Sequence, residues 1–143
     1  MSSPEALFQL ANTLVLPFWL LLAIFPKNRW TRLIVVSGGA SCLIAAFYIM
    51  ALTKASSEFS LEAFATLSGI RQAFGDEWFL LAGWIHYLAF DLYVGAKIAS
   101  EHTAMGSSHL GLVVKLFFTM MLGPIGLILH KVHVWIRGVL PHS

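Results

Sequence analysis

The chain has 143 residues, of which 58% are hydrophobic and only 11% are charged, and its mean hydropathy is +0.78. A soluble globule needs more polar residues than this to cover its surface, so the composition predicts an integral membrane protein embedded in a lipid bilayer. The net charge of +2 is small and no long basic run is present, so nucleic acid is not expected as a partner.

Four apolar tracts are each long enough to cross a bilayer as a helix. A helix rises 1.5 Å per residue, so roughly 20 residues span a hydrocarbon layer of about 30 Å. The predicted fold class is therefore all-α, a polytopic membrane protein with a bundle of four transmembrane helices in a single domain over residues 1–143. The approximate spans are residues 7–25, 33–52, 78–99 and 110–134.

The first two spans each contain a feature that bears on helix packing. Pro17 lies inside the first span, and because proline lacks an N–H we predict a kink there. The second span carries an unbroken run of small residues from Ser37 to Ser41. Small side chains let helix backbones approach closely, so this run favours tight packing against a neighbouring helix.

A short amphipathic helix is predicted between the second and third spans, lying in the membrane interface. Apolar residues recur there at helical spacing, which places them on one face: Leu61, Phe64, Leu67, Ile70 and Phe74. The third span then runs from Trp78 toward Lys97, residue types that suit the two membrane surfaces. The fourth contains Gly123 and Pro124, which predict a kink or break near mid-membrane.

Four crossings would place both termini on one side of the membrane. The lysine and arginine counts on the two sides then balance. Only the higher density of positive charge near the first loop favours an orientation with the termini outside. Neither a signal peptide nor a transit segment is expected, so we predict a multi-pass protein of a bacterial inner membrane or a photosynthetic membrane. The balanced sets are Lys27, Arg29, Arg32 and Lys97 on the loop side, and Lys54, Arg71, Lys131 and Arg137 on the side of the termini.

The third span places Asp91 near the middle of an apolar helix. A carboxylate at the bilayer centre costs about 2.5–3.5 kcal/mol on insertion scales, so Asp91 must be paired, protonated or facing a wet cavity. Helical spacing puts Trp84, Tyr87 and Asp91 within about 60° of each other on one face. Asp91 is therefore a candidate for function, although a carboxyl that only fixes helix register would also fit.

His86 and His130 are the other ionisable candidates within the spans. His86 is five residues from Asp91 and points about 140° away, on a stripe shared with Tyr93, so a direct bond between the two is not expected. The third helix thus has two polar edges, which we expect Asn12 and His130 from other helices to complete. Either histidine could instead be a packed side chain bonded to a neighbouring carbonyl.

Three segments of this sequence resemble the ABA4-like family, whose plant members are implicated in neoxanthin synthesis. They read FQLANTLVLPFWLLLAIFPKNRWT, LSGIRQAFGDEWFLLAGWIHYLAFDLYVGAKI and GPIGLILH, and they occur in the family's order and spacing. The sequence differs at Gly123, where plant members carry cysteine, and at Lys97, where they carry arginine. The matching positions are Ala11, Asn12, Leu16, Pro17, Trp19, Pro26, Trp84, His86, Asp91, Leu92, Pro124, Ile125, Gly126 and His130.

The resemblance implies a protein that isomerises or binds a carotenoid or related polyprenoid, a hydrophobic small molecule. In the plant reaction an epoxide oxygen is protonated and a vinylic proton is removed, which requires no redox cofactor and no metal. Asp91, His86 and His130 are the predicted catalytic acid and base groups. Predicted substrate-binding residues are Asn12, Trp19, Trp84, Tyr87 and Tyr93.

Two alternatives remain open from the sequence. His86 and His130 could supply the axial ligands of a b-type haem held within the bundle. The chain could also be a non-catalytic accessory subunit of a larger membrane complex, or a homo-oligomer, since short loops and apolar faces suit docking on other membrane proteins. A visible spectrum of the purified protein would separate a carotenoid, a haem and an empty bundle.

Overall fold

The computed structural model of this protein describes residues 3–55 and 64–139. Polar side chains cap the starts of several of its helices. The Asp76 carboxylate accepts a hydrogen bond from the Phe79 N–H at 2.9 Å, and Ser3 caps the first helix in the same way. The described residues form helices and turns without a strand, so the all-α prediction is confirmed. The helices are α1 Pro4–Ile24, α2 Arg29–Leu52, α3 Leu67–Ala73, α4 Glu77–Ala104, α5 His109–Leu122 and α6 Pro124–Val139.

Three of these helices, α1, α2 and α4, are long and apolar enough to cross a membrane, among the residues described. The central helix is α4, which packs against α1, α2, α5 and α6. Its buried face supplies much of the core, including Leu81, Ile85, Leu92 and Ile98. The 28 residues of α4 extend for roughly 42 Å, so Asp91 lies close to the middle of the helix.

The small-residue run in α2 does more than allow close packing. It follows a π-helical turn over Arg32–Val36 and contains Gly38, whose φ of 92° lies in the left-handed region. A side chain is strained there, so glycine suits the position. Tyr93 of α4 packs over this irregular turn, with its ring 3.7 Å from the position of a Gly38 Cβ.

The predicted fourth span, residues 110–134, is not one continuous helix. Because Pro124 cannot donate an N–H, α5 ends at Leu122 and α6 starts after Gly123. The new helix runs back along α5, as its contacts show: His133 bonds to Ser107 at 3.1 Å and Arg137 to the Met105 carbonyl at 3.1 Å. The two helices form a hairpin with its tip near the middle of α4, so the count of four crossings is not confirmed.

The two ends of the helix bundle therefore differ in their elements and their charge. The acidic end holds the start of α1, the end of α2, α3 and the start of α4, and its described charged residues are Glu5, Asp76 and Glu77 with Lys54 and Arg71. The basic end holds the turns at residues 25–28 and 105–108 and the last turns of α6. The sequence predicts Lys131 and Arg137 on the side of the termini. Because α6 folds back, both lie at the basic end instead, where they contact Glu101 and Met105.

The amphipathic surface helix predicted between the second and third spans is not confirmed. In this region the structure describes α3, which is seven residues long and begins at Leu67 after a Thr66 cap. Phe74 packs edge-on against Phe79 of α4, with ring centroids 5.3 Å apart. Leu61 lies outside the described residues.

Gly126→Ala is expected to destabilise the hairpin by about 1–3 kcal/mol. Gly126 sits against Thr119, and an added methyl group would overlap the hydroxyl and backbone of that residue. Thermal unfolding of the detergent-solubilised protein measures the effect. Gly138→Ala in the same helix is the matched control, because a methyl group there meets open space and should cost no stability. Equal midpoints for the two variants would contradict the close α5–α6 contact.

Candidate functional site

The carboxyl group of Asp91 lies under the tip of the α5–α6 hairpin. A Cβ on Gly123 would lie 2.5 Å from Asp91 Oδ1 and 3.1 Å from Oδ2, so only glycine leaves room for the carboxyl group. The Asp91 Oδ2 atom is buried and has no hydrogen-bond partner among the described residues. Buried polar atoms are nearly always bonded, and an ionisable group inside a membrane is a functional candidate, so the unpartnered carboxylate oxygen marks Asp91 as the centre of the candidate site.

Tyr87, one turn before Asp91, is the nearest polar side chain to that carboxyl group. Its hydroxyl donates to the Met120 carbonyl at 3.2 Å and also interacts with the Asp91 carboxyl. A phenol has a single proton to donate, so a hydrogen bond from Tyr87 to Asp91 would take the place of the one to the Met120 carbonyl. The pair can therefore hold or pass a proton at the hairpin tip.

Trp84 and Asn12 extend this polar face toward the acidic end. The Trp84 indole N–H donates to Asn12 Oδ1 at 3.0 Å, and the Asn12 amide donates to the Phe8 carbonyl at 2.9 Å. The Trp84 ring lies 5.6 Å from the Tyr87 ring, centroid to centroid. The face predicted from helical spacing is thus present, and Asn12 from α1 joins it as expected.

His86 lies on a different side of α4 from Asp91. Its exposed ring stacks on Phe90 with centroids 4.5 Å apart and lies 5.7 Å from the Tyr48 ring. The predicted divergence of His86 from Asp91 holds in the structure. His86 therefore cannot act on a group held at the hairpin tip without a rearrangement of α4.

His130 is buried at the basic end and does not complete the Asp91 site. Its Nε2 atom lies 2.9 Å from Glu101 Oε2, a carboxylate that Lys131 also contacts at 3.3 Å. Glu101 is ten residues beyond Asp91, or roughly 15 Å along the helix axis. The expectation that His130 joins Asp91 is wrong, because α6 folds back and carries His130 away from mid-helix.

The position of His130 at the basic end also separates it from His86, the other predicted haem ligand. His86 and Glu101, the partner of His130, are 15 residues apart on α4, roughly 22 Å along the axis. The structure therefore does not bring His86 and His130 to the two faces of one haem. Within residues 3–55 and 64–139 no three His, Cys, Asp or Glu side chains are placed to hold a metal ion.

Trp19 and Tyr93 have separate positions in the bundle. Trp19 is buried, and its ring lies 2.5 Å from where a Cβ would stand on Gly95 of α4, so it fills the contact between α1 and α4. Trp19 also borders an apolar groove of about 350 Å³ between α1 and α5, and Met120 is among the other residues that line it. Tyr93 is half-exposed on the side of α2, away from this groove.

Several residues of the site carry no signal in a single sequence. The Met120 carbonyl belongs to the backbone, and Gly123 matters because the hairpin brings it onto Asp91. The polar cluster at the basic end was also missed, including a 3.1 Å contact between Lys115 Nζ and His102 Nδ1. Lys115 sits inside an apolar tract, and that placement could have marked it in the sequence.

The sequence of this chain matches a known protein family. Residues 6–130 match the family described as ABA4-like, ABA DEFICIENT 4-like. Protein ABA DEFICIENT 4, chloroplastic, from Arabidopsis thaliana is 27% identical over 107 residues, which cover 68% of this chain and 47% of that relative. The chain thus spans about half the length of the curated relative it matches, and no solved structure matches it significantly. The family match covers most of the chain, including Asn12 and Asp91, and the protein belongs to the ABA4-like family.

Proposed function

We propose that this protein is a membrane-embedded isomerase that acts on a carotenoid or related polyprenoid by acid–base chemistry at Asp91. The observation that carries the proposal is the buried, unpartnered Oδ2 of Asp91 in the middle of an apolar helix. Keeping such a group costs stability, so it is retained where it reacts with or binds a ligand. The Tyr87 hydroxyl beside it is the second proton-transfer group, a role predicted for His86 or His130.

The proposed chemistry needs two proton transfers and no external oxidant. Opening an epoxide to an allenic alcohol breaks one C–O bond and one C–H bond, forms one O–H bond and converts the electron pair of the C–H bond into a new carbon–carbon double bond. Ionised Asp91 would accept the vinylic proton while the Tyr87 phenol donates to the epoxide oxygen. Proton return from Asp91 to Tyr87 restores both groups.

The apolar groove between α1 and α5 is the proposed seat for the polyene chain. Its lining is almost entirely apolar, with Trp19, Leu116 and Phe117 among its walls. Met120 also lines the groove, and its carbonyl accepts the Tyr87 hydrogen bond, so the proposed binding mode places the oxygen-bearing end group at this residue, beside Tyr87. Shape and polarity thus suit a long apolar molecule with an oxygen at one end.

A photosynthetic membrane is the proposed location. The three long apolar helices suit a bilayer, and the name of the Arabidopsis relative assigns that protein to the chloroplast. A carotenoid-bearing membrane would bring the proposed substrate to the groove by lateral diffusion.

Expression in a host that accumulates epoxy-carotenoids tests the proposal. The purified protein is expected to carry the visible absorption bands of a carotenoid. Pigment extracts should contain an isomer of unchanged mass that the empty-vector host lacks. A colourless protein together with a pigment profile identical to that of the vector control would contradict the proposed function.

A further inference from the structure

A chamber lined by Lys27, neutral polar groups and several apolar side chains lies at the basic end, away from Asp91. It has a volume of about 590 Å³ and opens between the turns at residues 25–28 and 105–108. His102, in its wall, is eleven residues beyond Asp91, roughly 16 Å along α4. Among the described residues that line it there is no aspartate or glutamate, and the polar ones are Lys27, Asn28, His102, Thr103, Ser107 and His109.

A buried lysine stands behind the His102 wall of this chamber. The His102 Nε2 atom lies 2.9 Å from the Ser108 carbonyl oxygen, which can only accept, so Nε2 carries the ring proton. Nδ1 is then free to accept from Lys115 Nζ at 3.1 Å. Lys115 is 6% exposed and forms no ion pair with a carboxylate within the described ranges. A buried lysine without a carboxylate partner is stabilised by negative charge close by, so an anion in the chamber beyond His102 is electrostatically favoured.

The surrounding charge favours the same kind of ligand. Glu101 is the sole carboxylate at the basic end among the described residues, and it is already held by His130 and Lys131. A second recess of about 360 Å³ shares Lys27 with the chamber and adds Arg32. Seven lysines and arginines lie in this half of the described structure: Lys27, Arg29, Arg32, Lys97, Lys115, Lys131 and Arg137.

We propose that this chamber binds the phosphate group of an anionic phospholipid. Lys27 and His109 face the phosphate from the rim, and Ser107 and Asn28 supply hydrogen-bonding groups beside it. Ile24 and Phe25 line the same chamber and are 55% and 54% exposed, so the acyl chains lie against them in the bilayer. A zwitterionic headgroup carries its own cation, which would lie beside Lys27 in the chamber and is repelled by it, so an anionic lipid is preferred.

Lipid binding to the purified full chain in detergent tests this site. Fluorescent phosphatidylglycerol and phosphatidylcholine with the same acyl chains are titrated against wild type, Lys27→Gln and Lys115→Gln. Arg71→Gln, which removes one exposed cation from the acidic end, is the matched control. Phosphatidylglycerol is expected to bind about tenfold more tightly than phosphatidylcholine, and each lysine variant should lose about fivefold of that affinity.

Three results would overturn the proposal. They are equal affinity for the two lipids, an equal loss in Arg71→Gln, and complete displacement of the lipid by excess inorganic phosphate, which would show a free-anion site. If Lys115→Gln does not elute as a folded species, Lys27→Gln decides the outcome, because Lys27 is exposed on a turn. Asp91→Asn should bind phosphatidylglycerol like wild type, so a failure here is distinct from a failure of the isomerase proposal.

Discussion

Replacing Asp91 with asparagine is expected to lower isomerase activity by about 100-fold or more while the protein stays folded. Asparagine has nearly the shape of aspartate but cannot take up the vinylic proton, and a general acid or base contributes 10²–10⁴-fold to a rate. Asp91 Oδ2 makes no hydrogen bond within the described structure, and the amide oxygen of asparagine can still accept a hydrogen bond from Tyr87, so the replacement preserves the local contacts. Pigment conversion per amount of purified protein measures the loss, and thermal unfolding in detergent checks the fold.

His86→Phe is the matched control for this variant. It removes an ionisable group from the same helix, while a phenyl ring preserves the stacking on Phe90. Its activity should equal that of wild type. Tyr87→Phe should fall between the two variants, because it keeps the ring and loses only the hydroxyl that bonds to Met120. Full activity in Asp91→Asn, or an equal loss in His86→Phe, would remove Asp91 from the proposed mechanism.

A second prediction concerns the side of the membrane on which α6 ends. Single cysteines at position 138 and at position 29 are expected to react with a membrane-impermeant maleimide from the same side, and a cysteine at position 65 from the opposite side. The reason is that α6 doubles back, so that Arg137 reaches Met105 at the basic end. The variants are Gly138→Cys, Arg29→Cys and Ala65→Cys, each in a Cys42→Ser background.

Labelling from one side of sealed vesicles gives the readout, and lysed vesicles show that each cysteine can react. Four crossings would instead place position 138 with position 65, which would contradict the hairpin. The positive-inside rule also predicts which side this is. The basic end of the described structure has seven lysines and arginines and one carboxylate, and such an excess of positive charge is typical of the cytoplasmic side. Positions 29 and 138 are therefore expected on the cytoplasmic or stromal side.

Part of the site follows from the sequence because helix geometry is regular. Trp84, Tyr87 and Asp91 share a face at the spacing of one and two turns, and the structure shows that face with Asn12 opposite Trp84. The same rule separates His86 from Asp91. These relations lie within one helix, or between a polar group and the nearest available partner, so they depend little on the rest of the fold.

The hairpin could not be predicted in the same way. Residues 110–134 have the length and hydropathy of a span whether they cross the membrane or turn back at Gly123 and Pro124. A proline in a long apolar helix is compatible with a kink or a reversal, and only contacts with other helices separate the two. The predicted position of His130 was wrong for this reason.

The sequence by itself determined that the protein is helical and apolar, and which α4 side chains share a face, because composition and helical period act locally along the chain. It also carried the three segments that identify the ABA4-like family. Only the tertiary structure decided that α6 folds back, that Asp91 meets Gly123, and that Lys115 reaches His102. Those contacts join residues far apart in the chain, and the packing of whole helices selects them.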